Sequence, residues 1–179
     1  MAIIGAGGSI SLLHLQLSLR AGASRLIAIG HSPVRLNTIR ELGATTVVNA
    51  YDQDPVAAIR EATDGYGADV IIECAGTKLA WETAAQAVRK GGRVLWFGGL
   101  PEGTEISLDA TRVHYGEVAF FGIHGGTAAD AREAFQLIVS GAVDVAPALS
   151  GVMPLGKLEA ALRRMITGQA IKIVINPEQ

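Results

Sequence analysis

Three glycines, Gly5, Gly7 and Gly8, stand between a short apolar run and a stretch with helical spacing, in the order GAGGSIS. That order suits a phosphate. The first glycine permits a tight turn and the next lets the backbone approach a pyrophosphate. The helix behind them offers unsatisfied N–H groups and the positive end of its dipole. In the strict G-x-G-x-x-G spacing a third glycine would fall at Ile10, and in the variant G-x-x-G-x-x-G at Ser11. Ser11 is small enough for close packing of helix on strand, so Gly5, Gly8 and Ser11 fit the three roles, with Gly7, Ser9 and Ile10 lining the same turn.

A second group of polar residues lies about twenty positions further on. An NAD-preferring site places Asp or Glu there to accept from the ribose hydroxyls. Here the run RLIAIG ends in Gly30, followed by His31, Ser32 and Arg35, with no carboxylate at that point. Without it, repulsion against a 2′-phosphate is removed, on the order of 1–4 kcal/mol for charges ~4 Å apart at effective dielectrics of 80 to 20. His31, Ser32 and Arg35 can donate to such a phosphate, which favours NADP over NAD. The competing reading makes Arg35 a solvated helix residue and Ser32 only a cap. Taken alone, the glycine turn also fits a plain structural turn or the similar turn of methyltransferases that bind S-adenosylmethionine.

Other chemistry finds little support. A catalytic zinc site needs about three protein ligands, yet Cys74 is the single cysteine, and His14, His31, His114 and His124 do not cluster in sequence. Cys74 reads as a small buried filler and His14 as a mid-helix packing residue, while His114 has no evident role. There is no Ser/His/Asp hydrolase elbow and no Walker-type loop, so the chain is expected to carry no catalytic or metal-binding residue of its own. A length of 179 residues suits one domain, and 49% apolar residues suit a parallel sheet covered on both faces. A net charge of −2 makes nucleic acid an unexpected partner. No apolar run approaches the ~18–20 residues that span a bilayer, the first residues do not show the basic, apolar and small-residue pattern of a secretory leader, and a lone cysteine suits a reducing cytoplasm.

The elements that must position these residues alternate almost from end to end. Strands are expected over 1–4, 25–30, 46–48, 69–73, 93–97, 118–121 and 171–175. Helices are expected from the glycine turn to 20, with Ile10, Leu13 and Leu17 on one face, and over 33–43, 54–64, 78–89, 127–140 and 154–167. Ser32 offers an N-cap, Pro33 suits the first helical position, and Gly91 and Gly92 close the fourth helix. Such alternation predicts a doubly wound, mostly parallel α/β sheet of about six strands with helices on both faces. Only four residues precede Gly5, fewer than the roughly 5–6 of a usual central strand, which points to sequence upstream of Met1.

The ordered segments resemble the cofactor domain of the medium-chain, zinc-type alcohol and polyol dehydrogenases. The run from GAGGSIS to ATTVVNA carries the resemblance, with GADVIIECAG at 67–76, KGGRVLWFGG at 90–99, FFGIHGG at 120–126 and PLGKLEAALRRMITGQAIKIVI at 154–175. It covers essentially the whole chain. The tail leans towards the sorbitol and threonine dehydrogenases, and the glycine turn towards the zinc-free quinone reductases.

The resemblance implies a Rossmann-type NAD(P)-binding unit over 1–150 and a helix and strand over 151–179 that return to a catalytic domain absent from this chain. It further implies that Cys74, Ala75 and Gly76 lie along the cofactor. Backbone at Phe97, Gly98, Gly99, Gly122, Ile123 and His124 would hold the nicotinamide carboxamide, and Gly30, His31 and Arg35 would surround the adenosine ribose. Residues 105–108 would pair across a two-fold axis in a homodimer. The complete enzyme would move hydride between NAD(P) and a secondary alcohol or polyol, with zinc and the alcohol or carbonyl substrate held by the absent domain. A zinc-free quinone or enoyl reductase and a dinucleotide-binding module without chemistry remain the alternatives.

Overall fold

A computed structural model describes residues 1–178. Six strands form one parallel sheet: β1 (Ala2–Ile4), β2 (Ile27–Gly30), β3 (Thr46–Asn49), β4 (Ala68–Glu73), β5 (Val88–Trp96) and β6 (Ala119–Gly122), in the order β3-β2-β1-β4-β5-β6. Strand order reverses between β1 and β4, as the doubly wound reading requires. The central strand is only three residues long and wholly buried, with Ile3 paired to Ala28 on one side and Ile72 on the other.

Alternation of side chains across β1 and β2 splits the core in two. Ala2, Ile4, Ile27 and Ile29 pack with Ala58 and Ile59 of α3 (Pro55–Glu61) and with Ala80, Ala84 and Ala87 of α4 (Lys78–Ala87). Ile3 and Ala28 face Leu12 and Leu15 of α1 (Ser9–Arg20) and Leu36 and Ile39 of α2 (Pro33–Glu41). Each fully buried Ile or Leu contributes about 1.5–3 kcal/mol, and the continuous apolar runs of these strands follow from burial on both faces.

Several sequence expectations need correction. In α1 the buried stripe is Ser11, Leu12, Leu15 and Ser18, whereas Ile10 and Leu17 are exposed. The helix turns Ser11 and Ser18 inward together with Leu12 and Leu15. Ser32 occupies the N-cap of α2 without a side-chain capping bond; Asp54, by contrast, caps α3 by accepting from the Ala57 N–H at 2.9 Å. The helix expected to end at Gly91 and Gly92 ends at Ala87. Strand β5 begins at Val88, pairs there with Ala68, and resumes at Arg93 opposite Val70 after a register shift. The glycines therefore serve an irregular strand entry, with Gly91 at φ +65°.

The last third joins two elements that the sequence did not announce, one helical and one extended, to others that it did. A short helix, α5 (Ala110–His114), starts at the capping residue Asp109. Helix α6 (Ala128–Val139) has a full capping box between Thr127 and Asp130 and no buried residue. Strand β7 (Leu149–Pro154) was not expected, since Gly151 and Pro154 break its pattern. It pairs in parallel with β8 (Lys172–Asn176) as a separate two-stranded sheet. Pro154 therefore ends a strand instead of opening a helix, and α7 (Leu158–Ile166) follows a 3-10 turn at Leu155–Lys157.

Candidate functional site

Every predicted site segment follows the carboxyl end of a strand, the side on which doubly wound sheets bind ligands. After β1, the Gly5 and Ala6 N–H groups donate to the Ile29 carbonyl at 3.0 and 2.7 Å, folding the glycine turn back over β2. Gly5 has φ +85°, and a Cβ there would lie 2.6 Å from the Ala75 nitrogen. Gly7 has φ +102°, and its Cβ would meet the Arg35 side chain at 2.5 Å. Gly8 is the N-cap of α1, and a Cβ on it would enter open space. The first turn of α1 carries no acidic side chain to offset its dipole, so the turn offers amides and positive potential to an anion.

Ser11 does more than fit. It is fully buried, its Oγ accepts from the Gly7 N–H at 2.9 Å, and it donates to the Gly8 carbonyl at 2.8 Å. The hydroxyl thus ties the Gly7–Gly8 segment of the turn to the first turn of α1. Ser9 and Ile10 open the helix beside it, Ile10 with its side chain exposed.

At the end of β2, a Cβ on Gly30 would sit 2.4 Å from the Ala6 carbonyl oxygen, so only glycine permits the turn above to approach. His31 is exposed, and its ring lies 4.6 Å from that of Tyr51, just beyond β3. Arg35 stands beside Gly7, and its Nη2 donates to the carbonyls of Gly168 and Ala170 at 3.2 and 3.0 Å. The tail between α7 and β8 therefore reaches the edge of this site.

The loops after β4 and β5 touch. A Cβ on Gly76 would lie 2.9 Å from the Gly99 carbonyl oxygen, and one on Gly98 would lie 2.3 Å from the Gly76 nitrogen. Phe97 packs edge-on against the half-buried His14 of α1, ring centroids 4.7 Å apart, and burial lowers the His14 pKa. Gly122, Ile123 and His124 are exposed beyond β6, and Cβ positions at Gly99 and Gly122 are open. The segments at 5–11, 74–76 and 97–99 are brought into contact, and 30–35 joins them through Ala6 and Gly7. Gly122 ends the outermost strand opposite Trp96, so residues 122–124 begin beside the loop after β5.

Three contributors escaped the sequence reading. Tyr51 follows a strand in a polar stretch and gave no signal beyond its ring. For Glu73 the sequence does carry a signal, an acid closing the apolar run VIIE ahead of CAG, whereas Trp81 reads as an ordinary helix residue. Glu73 is fully buried, and burial raises its carboxyl above the usual range against the opposing N–H groups of Gly76 and Ala75.

The chemistry of Cys74 suits a zinc ion poorly. Burial, and then the neighbouring Glu73, push the Cys74 thiol up to about 12, which disfavours the thiolate a metal needs. Among the described residues no group of three or more His, Cys, Asp or Glu side chains is placed to hold a metal. A cleft of about 950 Å³ does open between Met1, His14, Arg25, Tyr66 and Asp69. It lies towards the amino-terminal ends of the strands and contains none of the site residues.

A parallel sheet with a glycine turn at its switch point is the layout of the doubly wound α/β proteins. Within that class, residues 9–140 match the family model described as zinc-binding dehydrogenase, and the chain belongs to that family. It is 33% identical over 180 residues to the L-threonine 3-dehydrogenase of Caldanaerobacter subterraneus subsp. tengcongensis, covering 99% of this chain and 51% of that protein. It is 28% identical to the sorbitol dehydrogenase of Bacillus subtilis, covering 100% of this chain and 50% of the relative. The chain thus spans about half the length of the curated relatives it matches.

Among solved structures, it superposes with a TM-score of 0.91 and 28% identity on a Sinorhizobium meliloti protein described as a zinc-binding dehydrogenase and bound to NADP. That match covers 98% of this chain and 52% of the other. The benzyl alcohol dehydrogenase of Acinetobacter calcoaceticus gives a TM-score of 0.90 at 26% identity, over 97% and 48%. Among the described residues no helix is long and apolar enough to cross a membrane.

Proposed function

We propose that this chain binds NADP at the carboxyl ends of β1, β2, β4, β5 and β6, as the cofactor-holding part of a zinc-type alcohol or polyol dehydrogenase. One observation carries the reading: the glycine turn at the switch point, braced by Ser11, lies in contact with the loops after β4 and β5. Gly5, Gly7, Gly8, Ser9 and Ile10 would face the pyrophosphate. Gly30, His31, Ser32 and Arg35 would surround the adenosine, joined by Tyr51. Cys74, Ala75 and Gly76 would run along the cofactor towards a nicotinamide held by backbone at Phe97, Gly98, Gly99, Gly122, Ile123 and His124. A dinucleotide bound there would supply or accept the hydride, and these residues would bind and orient it. Zinc and the secondary alcohol would be held by residues outside these 179.

We further propose a division near residue 150, where the second sheet begins. The proposal also includes a homodimer formed through the exposed stretch 105–108, and a cytoplasmic setting suited to a lone cysteine; a sedimentation mass of one chain would sink the dimer.

Calorimetric titration with NADP and NAD in parallel tests the main reading. NADP is expected to bind about tenfold or more tightly than NAD, and Arg35→Ala is expected to erase that difference while sparing NAD affinity. Equal affinities in the wild type would overturn the NADP preference. Binding of neither would overturn the dinucleotide reading.

A further inference from the structure

Among the described residues Glu73 is the one carboxylate that is fully buried. A buried carboxylate is unfavourable unless it is hydrogen-bonded, so the partners it has show what it is kept for. Its Oε1 accepts from the Ala75 N–H at 2.6 Å and from the Gly76 N–H at 2.8 Å. Its main-chain carbonyl accepts from the N–H groups of Phe97 and Gly98, both at 3.0 Å. One residue thereby holds the loop after β4 with its side chain and the loop after β5 with its backbone.

Trp81 of α4 closes the arrangement from the other side. Its Nε1 donates to the Gly98 carbonyl at 2.8 Å. The indole is itself fixed by stacking on Trp96, with centroids 4.4 Å apart and planes 4° from parallel, and Trp96 stacks in turn on Phe120. Little slack remains between the loops, because a Cβ on Gly98 would strike the Gly76 backbone and come within 2.9 Å of Glu73 Oε2. A turn serving only to reverse the chain needs no buried carboxylate and no indole donor. These groups orient particular peptide planes, those of Ala75, Gly76 and Gly98.

We propose that Glu73 and Trp81 are positioning residues for the nicotinamide half of the dinucleotide, touching no ligand themselves but fixing the two loops along which that half lies. This rests on the cofactor reading above. The adenosine half, bound around the glycine turn and Arg35, is outside their reach.

The test compares wild type, Glu73→Ala, Glu73→Gln and Trp81→Phe in the 179-residue chain. Calorimetry measures the affinity of each for NADPH and for its adenosine half, 2′,5′-ADP, or for NADH and ADP where the wild type prefers those. Glu73→Ala is expected to weaken the whole dinucleotide about tenfold and Trp81→Phe about threefold, with the adenosine half changed less than about twofold. Glu73→Gln keeps a carbonyl acceptor for the two amides and is expected to recover most of the loss. The Ala75 and Gly76 amide resonances of the unliganded protein should shift in both Glu73 variants. Trp81→Phe keeps the stack and carries the test should Glu73→Ala not fold.

Equal losses for whole and half ligand would mean general damage to the fold and would overturn the proposal, as would variants that bind the dinucleotide as well as wild type. Wild type that binds neither ligand would overturn the cofactor reading first and the proposal with it, an outcome distinct from failure of the brace alone.

Discussion

Ser11 shows how a residue chosen for its size can act through its chemistry. The sequence reading took it as a small replacement for glycine, which it is. Its hydroxyl also holds the Gly7 N–H and the Gly8 carbonyl, and no spacing rule predicts that. Ser11→Ala keeps the close packing but leaves the buried Gly7 N–H without its acceptor, at a cost of about 1–3 kcal/mol. Urea unfolding measures this, and a change below about 0.3 kcal/mol would show that the hydroxyl is incidental. Glu73 makes a second prediction at this scale, in pH. Its folded carboxyl is raised by burial, so its contribution to stability is complete below the ordinary glutamate range. That contribution is lost as pH rises through the folded value, because the unfolded chain gives up its proton first. Glu73→Gln should flatten this part of the stability–pH curve. Asp69, lowered chiefly by its hydrogen bond from Arg89, acts in the opposite sense, losing stability on acidification in both proteins. Identical curves for wild type and variant would show that Glu73 does not titrate across that window.

The alternation of elements was legible because buried parallel strands are written as apolar runs and βα units are separated by glycines. Where those signals were weak the reading failed for identifiable reasons. Strand β5 opens in VRKGG, which looks like the end of a helix, yet Val88 pairs with Ala68 in the sheet and Arg89 pairs with Asp69 at 2.7 Å. Strand β7 carries Gly151 and Pro154 and sits outside the main sheet, so neither composition nor rhythm announced it. For α1, the spacing of Ile10, Leu13 and Leu17 points to one stripe, whereas the helix buries the neighbouring one, Ser11, Leu12, Leu15 and Ser18. Helix α6 was anticipated and folds with no buried side chain, so its ends matter more than its core. Thr127 accepts from the Asp130 N–H while Asp130 accepts from the Thr127 N–H. Thr127→Ala should cost about 1 kcal/mol, seen as faster hydrogen exchange along 128–139 with the six-stranded sheet unaffected. Unchanged exchange would mean that contacts elsewhere hold this helix.

At the scale of the whole molecule, the glycine turn and the loops after β4 and β5 were foreseeable as one site because topology alone brings strand ends together. The reach of the tail was not. Residues 168–170 lie more than a hundred positions from Arg35, and no local pattern marks a carbonyl as the partner of a distant guanidinium. The proposed site therefore borders two units: the doubly wound sheet that supplies the glycine turn, and the β7–β8 pair whose approach segment holds Arg35. A phosphate that recruits Arg35 must compete with two backbone carbonyls, so part of its binding free energy goes into releasing them or into sharing the guanidinium with them. By thermodynamic reciprocity, whatever shifts the tail alters affinity for that phosphate by the same factor by which the phosphate shifts the tail. Arg35 would then be a point of linkage, through which occupancy at one unit is felt as a change of posture in the other.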